Sequence, residues 1–183
     1  ILFDAGESTL RGGSSLYTRH TRIKVLKEEG YQWADVIVPI FDFMNFESIR
    51  NLKASTYNLV NGRMEETKLE SKGKFKEEFV DGISVIRFAL PKVKVGSVLE
   101  YKYEVASQWP FAIRNWEFQS LIPCKWSEYE IHVTTMIDFS LHFQGYLAPV
   151  INEEKFDYCG VMTASEAQNL GLGAGLGADS RYP

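Results

Sequence analysis

The sequence is poor in the features that define several large classes of protein. Among its 183 residues are only two cysteines, Cys124 and Cys159, which can form at most one disulfide, so a disulfide-rich scaffold is excluded. The longest apolar run, Val36 to Phe41, is far shorter than the roughly 20 residues of a membrane-spanning helix. The 20 basic residues are interspersed with 24 acidic ones, which does not favour nucleic-acid binding. Whether the two cysteines pair is left open.

The composition is that of one folded domain, with or without a tail. Hydrophobic residues make up 45% of the chain and aromatic residues 14%. A chain of this length can bury roughly 70% of its unfolded surface without the help of metal or disulfide bonds. The segment from Ile1 to Asp4 has neither an initiator Met nor a basic region followed by an apolar one, so we expect a piece of a longer protein without its signal peptide.

Alternation of apolar and polar residues over short runs predicts antiparallel strands with one buried face. Turn residues separate these runs, and helical periodicity is nearly absent. Pro39 near the end of its run indicates an edge strand or a strand terminus, because proline cannot donate a ladder hydrogen bond. The predicted strands cover residues 21–26, 34–40, 49–60, 64–69, 75–79, 83–90, 99–105, 116–119, 126–136 and 139–143.

Two short turns predict hairpins within this series. Asn61-Gly62 lies between extended runs, and both residues tolerate the positive φ of a type I′ turn. Asp81-Gly82 predicts a second tight hairpin. Many short strands with turns between them favour an all-β antiparallel sandwich over an α/β sheet, with a barrel as the alternative.

The C-terminal part has a different character. Thr163 and Glu166 fit a capping box for a short helix that runs to Leu170. The glycine-rich stretch 171–177 follows, and it lacks the strand, helix and Lys-Ser or Lys-Thr pair of a phosphate-binding loop. We therefore predict a β-sandwich domain over residues 1–150, and a short helix with a flexible glycine-rich tail or linker over residues 151–183.

Catalytic chemistry has little support in the sequence. A cysteine nucleophile needs a histidine to accept its proton, and His20, His132 and His142 are available. Cys124, however, lies between Pro123 and Lys125, with no predicted helix N-terminus to lower the pKa of its thiol. A small buried side chain is the simpler interpretation of this cysteine. The Cys and His spacings do not fit a structural zinc site, so we predict no catalytic residue, cofactor or metal.

Two groups of aromatic residues fall in predicted loops. If they are exposed, they form an apolar patch of the kind that marks a partner surface or a ligand platform; if they are buried, the loops close the ends of the sandwich. As a partner surface they also allow recognition of a glycan or a peptide. The two groups are Phe41, Phe43 and Phe46, and Trp109, Phe111 and Trp116.

Several segments, in consistent order from about Leu2 to Tyr146, resemble one bacterial family, the domain of unknown function 3857. Its most specific part here ends in Gly96-Ser-Val-Leu-Glu-Tyr101. The other matching segments are Arg22 to Gly30, Ala54 to Asn58 with Asn61-Gly62, Phe88 to Tyr103, Trp116 to Gln119, Ile122-Pro123 and Ser127 to Tyr129.

The resemblance implies a β-sandwich with an immunoglobulin-like outline in an exported, periplasmic or envelope-associated protein. The family typically lies N-terminal to a transglutaminase-like domain, so the implied role is a non-catalytic accessory module that contacts that domain or another envelope protein. A glycan- or peptide-binding module and a cysteine-dependent enzyme are the alternatives. The chain departs from the family pattern after about Val150, and no catalytic residue is carried over from the resemblance.

Overall fold

A computed structural model describes residues 1–11, 13–109, 112–133, 140–145 and 147–155 of the chain. Over these residues the fold is mostly β, with nine strands in two sheets and three short 3₁₀ segments at Glu28–Ala34, Phe43–Asn45 and Ser71–Gly73. The strands are β1 Phe3–Arg11, β2 Ser14–Lys24, β3 Asp35–Phe41, β4 Glu47–Val60, β5 Arg63–Lys68, β6 Lys74–Val80, β7 Ile83–Ala89, β8 Val98–Ser107 and β9 Ser127–His132.

The two sheets confirm the all-β prediction. The larger sheet has six strands in the order β5-β4-β8-β2-β1-β9, and the smaller has three in the order β3-β7-β6. Both predicted hairpins form, β4 with β5 and β6 with β7. Asn61 and Gly62 have φ values of 52° and 78°, as a type I′ turn requires. The strand that contains Pro39 is an edge strand of the smaller sheet.

Not every strand pair is antiparallel. β9 runs parallel to β1, which departs from the purely antiparallel sandwich that the sequence predicted. The reason is the connection that precedes β9. β8 runs in the same direction as β1, because β2 is antiparallel to both, so the chain needs a long crossover rather than a tight turn to continue from β8 into a parallel β9. The segment between β8 and β9 supplies that crossover and crosses from one strand to the other without regular structure over its described residues.

The core lies between the sheets and is built from the inward faces of alternating strands. In β8 the alternation holds as predicted, with Leu99, Tyr101, Tyr103 and Val105 all buried. Phe88 of β7 is fully buried opposite them and packs edge-on against Tyr101. At about 25 cal/mol per Å² of apolar surface, such side chains each contribute about 1.5–3 kcal/mol of burial free energy.

Some local predictions were wrong or lie outside the described residues. No strand forms over residues 116–119, nor over 140–143, where Leu141 and Phe143 are exposed. β1 and the first half of β2 were not predicted. The short helix at 163–170, the glycine-rich tail and Cys159 lie outside the described residues.

The chain divides into two compact units, Ile1–His132 and Val133–Pro183, and all nine strands belong to the first. None of the helical segments among the described residues has the length and apolar character needed to cross a membrane.

Candidate interaction surface

The outward side of the three-stranded sheet carries a set of exposed apolar side chains. Register places Ile37, Arg87 and Phe75 in one row across the sheet, and Phe41, Ile83 and Val80 in another. The row between them contains Glu77, whose carboxylate lies 3.8 Å from Arg87. With the tip residues described next, we call this surface the apolar face: Ile37, Phe41, Phe43, Met44, Phe75, Phe79 and Val80, all exposed.

A short turn after β3 extends the apolar face at its tip. Met44 and Asn45 both have left-handed backbone geometry, with φ of 51° and 57°, which is uncommon for residues other than glycine. The backbone N–H groups of Asp42 and Phe43 donate to the carbonyl of Gly82, at 2.8 and 3.2 Å. The turn is thereby fixed to the β6–β7 hairpin, with Phe43 and Met44 52% and 74% exposed.

Asp42 anchors this turn to both neighbouring strands. Its carboxylate accepts a hydrogen bond of 2.8 Å from the Ser84 hydroxyl and lies 2.6 Å from the Lys76 ammonium. These two hydrogen bonds, to Lys76 first and Ser84 second, lower the pKa of Asp42 below its usual value. The carboxylate is therefore ionised at neutral pH, and it holds the turn that presents Phe43 and Met44.

The two predicted aromatic groups meet at one point. The rings of Phe46 and Trp109 lie 6.4 Å apart, and the N–H of Gln108 donates to the carbonyl of Phe46. Phe46 is half-buried, whereas Trp109 is 54% exposed. Phe41 and Phe43 belong instead to the apolar face, and Phe111 lies outside the described residues. The first group therefore splits, with two members exposed and one packed against the second group.

Trp116 is placed inside the fold rather than on a loop surface. Its ring stacks on Tyr129 at 5.2 Å, and the Arg19 guanidinium lies 5.1 Å from its centroid. The indole N–H donates to the Ser127 hydroxyl at 3.0 Å. The ring covers Gly6, where any side chain would collide with it. Trp116 thus covers the inner face of β1 and β9, and we call Asp4, Arg19, Thr21, Trp116 and Tyr129 the Arg19 cluster.

An ion pair between a buried carboxylate and a partly buried guanidinium lies at the centre of the Arg19 cluster. Arg19 donates two hydrogen bonds to the carboxylate of Asp4, at 3.0 and 2.6 Å, and Thr21 donates a third at 2.6 Å. Burial by itself would lower the pKa of Arg19, but the hydrogen bond to Asp4, the charge of Asp4 and the nearby tyrosines together outweigh it and raise the pKa. Since every group is paired, the cluster ties β1 to β2 rather than offering a reactive charge.

Tyrosines surround this ion pair and stay protonated. Burial raises the pKa of Tyr101, Tyr103 and Tyr129. The Tyr129 hydroxyl donates to the carbonyl of Arg114 at 2.8 Å and lies 2.7 Å from the Ser8 hydroxyl. Neutral, hydrogen-bonded phenols of this kind pack the fold and do not act as bases at neutral pH.

The cysteine and histidines do not assemble into a catalytic group over the described residues. The thiol of Cys124 donates to the carbonyl of Trp126 at 3.1 Å, which is a backbone acceptor and not a base. His132 lies on an exposed face with Glu128 and Glu130, as the alternation indicated, and its ring is 3.5 Å from Glu130. In the described part of the chain no three Cys, His, Asp or Glu side chains converge as metal ligands would.

Sequence reasoning missed five members of the apolar face. Ile37, Phe75 and Phe79 lie in predicted strands, where they were given no exposed role, Val80 directly follows one of these strands, and Met44 lies beside Phe43. One signal was available: the run Val36 to Phe41 is apolar at every position, so a strand with one face toward the core and the other toward solvent must expose half of it. Which half faces out depends on pairing between distant strands.

Comparison with known proteins gives one family and one structure. The model of a family described as a domain of unknown function with solved structure, DUF3857, matches residues 11–158. A crystal structure of a protein from Parabacteroides distasonis, provisionally designated a protease, is similar with a TM-score of 0.48 and 11% identity. The similarity covers 58% of this chain and 22% of that one, so this chain spans about a fifth of its length. A comparison with curated proteins gives no match.

Proposed function

Because this chain belongs to the DUF3857 family, we propose that it is a non-catalytic interaction module that binds a neighbouring folded domain through the apolar face. The partner we propose is a transglutaminase-like domain, which the resemblance places next to members of the family. The proposal includes an immunoglobulin-like outline for the sandwich, a location in the bacterial envelope or periplasm, and the absence of catalytic activity of its own.

The observation that carries the proposal is the concentration of exposed aromatic and aliphatic side chains on one side of the smaller sheet. Phe75 and Phe79 are 58% and 72% exposed, and Ile37 is 51% exposed. Contiguous apolar surface of this kind marks protein–protein contact, and aromatic residues and Met are enriched in the centre of interfaces. Glu77 and Arg87, which lie among these side chains, are 3.8 Å apart and offset each other's charge.

A concave depression lies beside the apolar face. It has a volume of about 320 Å³ and is lined by Phe75 and Lys76 of β6 and by Arg50 and Asn51 at the bulge in β4. Phe75 belongs both to this depression and to the apolar face. A side chain of the partner could fill the depression while its neighbours contact the sheet, which is the arrangement of interface anchors.

The experiment is a calorimetric titration of the chain with a purified transglutaminase-like domain, the partner proposed here. We expect the double variant Phe43→Ser/Phe79→Ser to weaken binding at least tenfold, because exposed aromatic anchors carry much of the binding energy at interfaces. The matched control is Leu59→Ser/Met64→Ser, which removes two exposed apolar side chains from the β4–β5 hairpin of the other sheet. The control is expected to bind as the parent does.

Two outcomes contradict the proposal. Equal weakening by both double variants would mean that apolar surface in general, and not this face, drives association. Absence of binding by the unmodified chain would refute the transglutaminase-like domain as the partner. To separate binding from folding, the urea midpoint of each variant is measured, and it should stay close to that of the parent because the substituted side chains are exposed.

A further inference from the structure

The outer face of the six-stranded sheet contains a groove that the apolar face does not involve. It has a volume of about 500 Å³, within the range of small-ligand sites. Side chains from β2, β4, β5 and β8 line it, among them Lys53, Ser55, Tyr57, Glu66, Glu100 and Lys102. These strands are all paired, so the floor of the groove is a rigid sheet.

Two lysines in the groove are directly opposed. Register pairs Lys53 of β4 with Lys102 of β8, and both side chains are exposed. Cross-strand partners have Cβ atoms about 5 Å apart, and like charges in such positions destabilise a sheet. Over the described residues neither ammonium has a hydrogen bond or an ion pair with a carboxylate. The pair is therefore a concentration of positive charge that the fold itself does not neutralise.

The two carboxylates that line the groove accept hydrogen bonds from neighbouring side chains. Glu100 accepts hydrogen bonds from Arg22 and His20 at 2.7 and 2.8 Å. Glu66 accepts a hydrogen bond of 2.8 Å from the Ser55 hydroxyl and a longer one from Tyr57. Because these carboxylates are held by their own neighbours, they do not reach across to Lys53 and Lys102. An anion that is not part of this chain would neutralise the two lysine charges.

We propose that this groove binds a peptide carboxylate, held between Lys53 and Lys102, with the adjoining peptide along Tyr57. A peptide is favoured over a polyanion because Glu66 and Glu100 flank the lysines and repel a highly charged phosphate or nucleic acid. The hydrogen bonds within the described residues go to Oε1 of each glutamate, so that Oε2 can accept a hydrogen bond from a peptide N–H group. The Tyr57 ring offers a surface for an apolar side chain. This site is separate from the apolar face and does not depend on the function proposed for it.

The test is an NMR titration of the whole chain with blocked tripeptides. Acetyl-Ala-Glu-Ala-amide carries only a side-chain carboxylate, acetyl-Ala-Gln-Ala carries only a C-terminal one, and acetyl-Ala-Gln-Ala-amide carries none. We expect one or both acidic peptides to shift the amide resonances of β4 and β8, and the neutral peptide to bind at least tenfold more weakly. The stronger of the two acidic peptides identifies the source of the carboxylate.

Variants separate the groove from general attraction to positive charge. Lys53→Gln/Lys102→Gln should weaken binding of the acidic peptide about tenfold, because the variant loses two ion pairs with the carboxylate. Lys94→Gln/Lys125→Gln makes the same charge change at two exposed lysines outside the groove and should leave binding unchanged. The urea midpoint of the groove variant should not fall, because it removes a repulsive pair.

Three results would overturn the inference. The first is equal loss of binding in the two lysine double variants, and the second is equal affinity for the neutral and acidic peptides. The third concerns inorganic phosphate: if it produces the same resonance shifts at lower concentration than either acidic peptide, the site prefers small anions and not peptides.

Discussion

Substitution of Gly6 by alanine tests how tightly Trp116 covers β1. An ideal Cβ at position 6 would lie 2.7 Å from Cε3 of Trp116 and 2.9 Å from Cδ2 of Tyr129, well inside ordinary contact distance. Neither ring is free to move away, because Trp116 is hydrogen-bonded to Ser127 and Tyr129 to Ser8. The added methyl group must therefore displace an aromatic ring or shift the β1 backbone.

The expected cost follows from these contacts. Overpacking a well-packed site costs about 1–3 kcal/mol. Displacement of the indole would also lose its hydrogen bond to Ser127, worth about 1 kcal/mol. We therefore expect the Gly6→Ala variant to lower the free energy of unfolding by about 2–4 kcal/mol, a large part of the 5–15 kcal/mol typical of a domain.

Urea unfolding followed by circular dichroism measures the loss, and a double-mutant cycle assigns its cause. In a Trp116→Ala background the space beside position 6 is open on the indole side, so the cost of Gly6→Ala should shrink by at least about 1 kcal/mol. A loss below about 0.5 kcal/mol in the parent, or an equal loss in both backgrounds, would refute the packing argument.

Three further predictions concern other parts of the fold. Asp42→Asn should remove the stability that the ionised Asp42 contributes above its unfolded pKa of about 3.8. The free energy of unfolding of the parent should therefore fall more than that of the variant as the pH decreases through the lowered folded pKa. Urea unfolding between pH 7 and pH 2 measures the difference. Arg19→Met removes the charged partner of the buried Asp4 carboxylate, which keeps only the hydrogen bond from Thr21. The variant should cost about 3 kcal/mol in the same assay, and a loss under about 1 kcal/mol would contradict the assignment of a structural ion pair. Gly62→Val places a β-branched residue at φ of 78° and should cost about 1–3 kcal/mol in the same assay. The control Leu59→Ser keeps the turn and should cost far less.

Local sequence patterns were sufficient where the buried face of a strand is apolar. In β8 the alternation of Leu99, Tyr101 and Tyr103 with charged residues assigned both faces correctly, and Asn61-Gly62 located the hairpin between β4 and β5. These features are local, because side-chain period and turn geometry are properties of a few consecutive residues. The prediction of an all-β fold with two sheets rested on such segments.

The same reasoning failed where the buried face is polar or small. The inward residues of β1 include Asp4, Gly6 and Ser8, which are buried because they contact Arg19, Trp116 and Tyr129. No apolar alternation marks such a stretch, and two of its contacts, with Trp116 and Tyr129, come from residues more than a hundred positions away. The same limit applies to Trp116, which the sequence placed in a loop group and the fold places over Gly6.

Sequence patterns alone predicted the fold class, the two hairpins and most strands of the larger and the smaller sheet. Only the tertiary structure decided the parallel pairing of β1 with β9, the split of the first aromatic group between the apolar face and Trp109, and the opposition of Lys53 to Lys102. The physical reason is common to all three. Each depends on which distant strands become neighbours, and strand alternation specifies the faces of a strand but not its partners.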